Sequence, residues 1–416
     1  MMQRRTCLQH LTLGASLLGW GGPLMAQVAP RKRLMVVILR GAVDGLSVVA
    51  PYSEAAYYKN RSSIALAKPG SEGGGLDLDG HFGLHPALAP LLPLWQAGKL
   101  GFVHASGSPD TTRSHFDAQD YLESATPGRK STPDGWLNRL LGVLPVPQHQ
   151  GKVTRALALG PVMPRIFAGP HSVASLAAGR AANRPGVLDK PNVGKAFDAL
   201  YGADGKLDQT YQTARQSRAE VMQALQGVDL DKEMLAASNG APLPNGFVQD
   251  ATHIAQLLRS EPSLQLVCTA LGGWDTHANQ GAANGQLAQR LQPLGQGLAQ
   301  LAQRLGPALD DTLILVMSEF GRTVRQNGNG GTDHGHGNVM WLLGGGLGAA
   351  CAGKVAGRWP GLDDAALYEG RDLDITTDYR SVLAAILQQH LRLPDTAIST
   401  VLPGFSGAVL PGILKA

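Results

Sequence analysis

Short apolar runs bounded by turn-forming residues recur along the chain at 34–39, 100–104, 156–159, 264–270, 312–317 and 339–343. Each has the length of a strand. Helical periodicity occupies several of the intervals, at 86–97, 116–124, 287–305 and 379–391, the last opened by Thr376, Thr377 and Asp378 as capping candidates. Strands that alternate with helices predict an α/β fold, a mainly parallel sheet with helices on both faces. The stretch from about 160 to 261 breaks this alternation. It is rich in Ala, Gly and Gln, with helical patterns at 208–225 and 246–258, and reads as an inserted helical region within a single domain spanning 27–416. No internal repeat is apparent.

The first 26 residues read as a leader and not as part of the fold. Arg4 and Arg5 precede a modestly apolar run at 11–20, and Leu24, Met25 and Ala26 offer a cleavage site, the pattern of a twin-arginine signal. A Cys in place of the aromatic residue common after the arginine pair leaves an ordinary secretory signal as the alternative. The expectation is a periplasmic or secreted protein whose partner during export is the twin-arginine translocase. Removing Arg4 and Arg5 reduces the formal charge from +4 to +2, too little for a nucleic-acid footprint. No other stretch reaches the ~18 consecutive apolar residues needed to cross a bilayer, so no stable membrane insertion is expected. Only Cys268 and Cys351 follow the leader, too few for a disulfide framework. Cys268 reads as a buried thiol within its apolar run, with a bridge to Cys351 left open.

Ligands of an open parallel sheet bind beyond the carboxyl ends of its strands, so the residues that follow each run carry the chemistry. Asp44 follows the first run, and the second leads to Arg113, Ser114 and His115. Asp275 and His277 follow 264–270, Glu319 and Arg322 follow 312–317, and beyond a glycine loop come Asp333, His334 and His336. Oxygen and nitrogen donors without cysteine suit a divalent cation such as Zn, Mn, Mg, Fe or Ca. A cation also keeps several neighbouring carboxylates ionised. Ser114, at a helix start, is the nucleophile candidate, with His115 beside it and Arg113 positioned for the oxygens of a phosphate or sulfate. Plainer roles are open for several of these residues. Asp44 before a glycine can make a turn, Asp275 with His277 an Asx turn, Glu319 with Arg322 a local ion pair, and Ser114 a helix cap.

The segments LRGAVDGL (39–46), TRSHFDAQD (112–120), GGWDTH (272–277), SEFGRT (318–323) and GGTDHGHGN (330–338) together resemble the bacterial family called domain of unknown function 1501. That family in turn is similar to a remote branch of the alkaline phosphatase and sulfatase superfamily. The resemblance implies one or two divalent metals at the carboxyl ends of the sheet. Asp44, Asp275, His277, Glu319 and His334 or His336 would serve as ligands, with Ser114 as nucleophile; Asp333, clustered with the two histidines, is a further ligand candidate. Asp275 and His277 stand two positions apart where the superfamily commonly spaces Asp and His by four, and Glu319 is followed by Phe320 where the superfamily has His.

Three functions are weighed. The first is an exported metal-dependent hydrolase of phosphate or sulfate esters acting on a small-molecule or polymer substrate, with metal at Asp275, His277 and His336. The second is a non-catalytic exported accessory or binding protein that retains the fold and a structural metal. The third, a nucleotide-dependent oxidoreductase, would rest on Gly346-Leu347-Gly348 after a strand, a near miss of the dinucleotide fingerprint with no acid properly placed beyond it.

Overall fold

The computed structural model describes residues 32–130, 132–146, 154–177 and 230–415, so the leader at 1–26 and the helical pattern at 208–225 lie outside the described residues. Strand β1 (Arg33–Leu39) is apolar almost throughout because both of its faces are covered. Leu34, Val36 and Ile38 point into one core while Met35, Val37 and Leu39 point into another. This is the two-residue period of a strand expressed between two buried faces.

The same sheet contains β2 (Leu100–Gly107), β3 (Ala156–Leu159), β4 (Ala174–Leu176) and β5 (Leu266–Leu271). It is completed among the described residues by β6 (Thr312–Met317), β7 (Asn338–Gly344), β8 (Val355–Ala356) and β9 (Thr377–Asp378). The spatial order is β8-β2-β7-β6-β1-β5-β3-β4, and β9 pairs with β2. β1 runs parallel to both neighbours, with Val36 level with Cys268 on one side and Leu315 on the other. β7 runs antiparallel to β2 and β6, while the other described pairings of this sheet are parallel. The reversal matters for the site, because chain entering β7 reaches the same rim that chain leaving β1, β2, β5 and β6 occupies.

The described helices of the two layers are α1 (His115–Ser124), α2 (Trp136–Val143), α3 (Phe247–Ser260), α4 (Gln286–Leu305), α5 (Tyr379–Ala385) and α6 (Asp395–Val401). Apolar residues of α2, α5 and α6 fill the core under Leu34, Val36 and Ile38; those of α3 and α4 fill the opposite one. In α4, buried Leu287, Leu291, Leu294, Leu298, Leu301 and Leu305 make one stripe at helical spacing. Gly297 lets α3 close on it, since a Cβ there would lie 2.4 Å from Phe247 Cδ1.

Two elements differ from the sequence expectation, each for a local reason. The helix expected at 86–97 divides into a 3-10 turn, Pro86–Leu91, and a short α-helix, Leu92–Gln96. Pro90 and Pro93 have no N–H to donate to a continuous ladder. The helix expected at 379–391 is α-helical only to Ala385 and continues as a π-turn, Ile386–His390, and of its capping candidates Asp378 accepts from the Arg380 N–H. At the described ends of the 160–261 stretch, β4 extends the sheet beside β3 and the buried face of α3 joins the sheet core. Cys268 and Cys351 are both buried and free. The glycines at 346 and 348 open no helix: Gly348 N–H donates to Ile413 and Ala350 N–H to Gly412, which removes the structural context a dinucleotide fingerprint needs. Among the described residues, no helix is long and apolar enough to cross a membrane.

Candidate metal centre

His115 is the first residue of α1, Asp275 and His277 lie just beyond β5, Glu319 just beyond β6, and His334 just before β7. The rim therefore gathers side chains from three connections between strands. The Nε2 atoms of His115 and His334 are 2.9 Å apart, and those of His277 and His334 are 3.0 Å apart. Asp275 faces all three: its Oδ1 lies 2.9 Å from His277 Nε2 and 3.3 Å from His334 Nε2, and its Oδ2 lies 3.5 Å from His115 Nε2. The Asp275 side chain is 2% exposed and that of His334 26%, so the cluster is floored by protein and open on the histidine side.

The far side of each ring decides what the near side presents. His115 Nδ1 is 2.8 Å from Glu319 Oε1, His277 Nδ1 3.2 Å from Asp333 Oδ1, and His334 Nδ1 2.9 Å from the Arg113 carbonyl. These oxygens only accept, so each Nδ1 carries the proton and each Nε2 turns a lone pair toward the others. Three lone pairs and a carboxylate at these distances repel one another unless a cation or a proton sits among them. Without a cation, the proton falls to His115: burial lowers its pKa, but hydrogen bonds to Asp275 and Glu319 outweigh burial and push it up to about 9. Burial would raise the Asp275 carboxyl, yet the three histidines and Arg322 hold it far below the usual range. Burial lowers His334. Three imidazoles with one carboxylate fit Zn, Mn or Fe better than the all-oxygen preferences of Mg and Ca. His115, Asp275 and His334 each offer an atom within 4.8 Å of the others.

Around this group stand residues that orient it. Glu319 Oε1 receives the Gly41 N–H at 2.8 Å and Gln119 Nε2 at 3.0 Å as well as His115 Nδ1, so Glu319 stands behind His115 and not among the converging donors. Burial opposes its ionisation, and the His115 bond wins, keeping its carboxyl below the ordinary value. Arg322 donates to Asp275 Oδ1 at 2.6 Å and to Thr332 Oγ1 at 3.2 Å. The expected local pair of Glu319 with Arg322 is therefore replaced by two separate contacts. Asp333, half exposed, accepts from Asn327 at 3.0 Å and holds His277 from outside.

Two expected ligands lie elsewhere. Asp44 is buried in a fork from Arg61, with Nη1 at 2.5 Å and Nη2 at 3.0 Å, and also receives Ser47 Oγ and Gln280 Nε2, each at 2.7 Å. Burial alone would raise its pKa, but Arg61 lowers it, and both oxygens are occupied by protein donors. His336, expected with Asp275 and His277, instead stacks on Tyr368 at 4.5 Å between ring centroids, and burial keeps it below the ordinary histidine value. Gly335, between the two histidines, lies against Arg322: a Cβ would come within 2.4 Å of that residue's carbonyl carbon. The bridge between Arg322 and His334 fixes the backbone so that His334 is the one delivered.

The Ser114 hydroxyl caps no amide of α1 and is exposed beside His115. Arg113 is already engaged, its Nη2 lying 2.7 Å from Glu369 Oε2 and 2.8 Å from Asp372 Oδ2. Sequence reasoning missed Gln119, Arg61, Gln280 and Asp372. Gln119 carried a signal, since it follows His115 by one helical turn and faces the same partner; the others sit in segments with no polar motif of their own.

The model of the family described as "Protein of unknown function (DUF1501)" matches residues 81–402. No curated protein matches the chain. Among solved structures, a protein in the alkaline phosphatase superfamily from Vibrio parahaemolyticus is similar at 11% identity and a TM-score of 0.38, over 79% of this chain; the chain spans 62% of that protein's length. The structure of Ps i-CgsB is similar at 12% identity and a TM-score of 0.34, over 78% of this chain and 68% of the other. The C-terminal periplasmic domain of EcEptC from Escherichia coli, solved in complex with Zn, is similar at 9% identity and a TM-score of 0.32, over 76% of this chain and 73% of its own.

Proposed function

We propose that this chain, which belongs to the protein family of unknown function 1501, is a metal-dependent hydrolase of phosphate or sulfate esters that holds one divalent ion among His115, Asp275, His277 and His334. The observation that carries the proposal is the convergence of three Nε2 atoms on the Asp275 carboxylate, with an acceptor behind every ring. Histidine ligands of a metal almost always have such a partner on the second nitrogen. When bound, a divalent ion supplies Lewis acidity toward an ester oxygen. The chain's own residues do the rest. Glu319 and Asp333 hold His115 and His277 in one tautomer, and Arg322 keeps Asp275 ionised. Ser114 offers a hydroxyl at the start of a ten-residue helix, where free N–H groups favour negative charge on an attacking or departing oxygen. The nucleophile is Ser114 or a water molecule beside it.

One observation favours a second reading, an exported accessory protein with a structural metal. Four protein donors suffice for a closed tetrahedral site, and the Arg113 guanidinium is paired to two carboxylates. Elemental analysis together with a panel of aryl phosphate, phosphodiester and sulfate substrates, with and without chelator, separates the two. The hydrolase reading expects one ion per chain and turnover that falls by at least about 100-fold on chelation; a comparable fall in Ser114→Ala makes Ser114 the nucleophile, and turnover kept in that variant makes it the water. One ion with no turnover on any ester leaves the second reading; no bound ion refutes both.

We also propose that Arg4 and Arg5 direct export. The mature chain is then expected in the periplasmic fraction, and Arg4→Lys with Arg5→Lys should retain it in the cytoplasm; export undiminished in that variant refutes the twin-arginine route.

A further inference from the structure

Beside the metal centre, a hairpin of residues 367–373 presents a second charged group. Its strands, Leu367–Tyr368 and Asp372–Leu373, are joined by Glu369, Gly370 and Arg371, the first two with positive φ, 53° and 63°. Turns of this kind favour Asn or Gly, and a glutamate held left-handed is uncommon. What the turn achieves is placement. The Glu369 carboxylate reaches Arg113 Nη2 at 2.7 Å while its side chain is 55% exposed, whereas Asp372 contacts the same nitrogen at 2.8 Å with its side chain fully buried. Arg371 grips Asp372 with Nε at 2.9 Å and Nη2 at 3.1 Å, and its side chain is 43% exposed.

Both arginine residues contact a candidate metal ligand, Arg371 through its guanidinium and Arg113 through its backbone. Arg371 Nη2 donates to the His334 carbonyl at 2.7 Å, and the Arg113 carbonyl receives His334 Nδ1 at 2.9 Å. Arg113 Nε is buried without a hydrogen-bond partner. Two guanidiniums are thus balanced by two carboxylates of unequal standing. Asp372 is locked in, and Glu369 lies on the solvent side.

We propose that Glu369 is a displaceable occupant of an anion subsite built by Arg113 and Arg371, and that a tetrahedral oxyanion, phosphate or sulfate, takes its place. With Glu369 swung out, the group carries one net positive charge and leaves Arg113 an open donor face for a bidentate contact. An exposed ion pair is weak, so displacing Glu369 costs an incoming anion no more than about fivefold in affinity. As the seat of a substrate's charged group the subsite rests on the hydrolase reading above; as an anion site it does not.

The test is a calorimetric titration with inorganic phosphate and with sulfate, on full-length protein of measured metal content and again after chelation. Glu369→Gln, a change at an exposed turn, is expected to lower the dissociation constant about two- to fivefold for at least one anion, before and after chelation. Adding Arg113→Met to Glu369→Gln should abolish the gain. If Glu369→Gln binds both anions no better than the parent, the proposal is overturned, whatever the metal analysis shows. If the gain appears in protein that carries no metal as isolated, the anion subsite stands and the metal reading fails. If an ester substrate is found, Glu369→Gln should lower KM with kcat little changed.

Discussion

On the metal reading proposed above, His334→Ala is expected to leave the fold intact and abolish binding of the ion. His334 is the hub of the cluster, 2.9 Å from His115 Nε2, 3.0 Å from His277 Nε2 and 3.3 Å from Asp275 Oδ1. Its loss removes a donor from the middle, so metal affinity should fall by more than the roughly 10- to 100-fold that follows loss of an outer partner. Its side chain is about one-quarter exposed, which limits the packing cost. His336→Ala is the matched control. That ring contacts Tyr368 and not the cluster, so metal content should match the parent. Elemental analysis of the two purified variants reads both outcomes. Equal metal in His334→Ala and the parent, or loss confined to His336→Ala, would remove the basis for assigning His334.

Asp44→Ala should have the opposite profile: a large stability defect with the metal retained. Asp44 and Arg61 are both fully buried, and the fork between them is completed by Ser47 and Gln280 on the carboxylate and by the carbonyls of Thr323 and Val324 on the guanidinium. Removing one member leaves a charge in the interior without its partner, a change that costs about 3–5 kcal/mol. The urea midpoint should drop accordingly, while the ion content of the folded fraction stays at the parental value. An Asp44→Ala protein that unfolds normally but lacks metal would instead make Asp44 a ligand. Because Arg61 already neutralises Asp44, no second ion is expected at that carboxylate.

The contrast between these two residues shows what a sequence can carry. Apolar runs marked the strands because a buried parallel strand has no polar face to confuse the pattern, and β6 at Thr312–Met317 coincides with its run. Segments rich in Asp, His and Gly marked the rim for a related reason: they follow strand ends, where the fold leaves side chains free for ligands. Which members converge was another matter. His334 and His336 differ by one intervening glycine, and the choice between them is made by the backbone pairing of His334 with Arg322 and by Tyr368. The position of Asp44 apart from the cluster is not legible in the sequence, because its partner, Arg61, lies 17 positions away in a segment with no motif. Partners brought together only by tertiary structure leave no local periodicity to read. The same applies to Arg322, whose nearest acid in sequence is Glu319 but whose partner in space is Asp275, 47 positions earlier.

The reversed strand β7 has a consequence for how this architecture can be altered. A parallel neighbour of β6 would need a long crossover returning to the opposite edge, usually through a helix. Reversal instead lets residues 318–337 leave and re-enter along one edge, with Glu319 and His334 near its two ends and Gly328 and Asn329 exposed at its tip. Lengthening or shortening the chain at that tip reshapes the mouth while both hydrophobic layers and both anchored ends stay in place. The connection is thus a point where the chain can change length without rebuilding the scaffold.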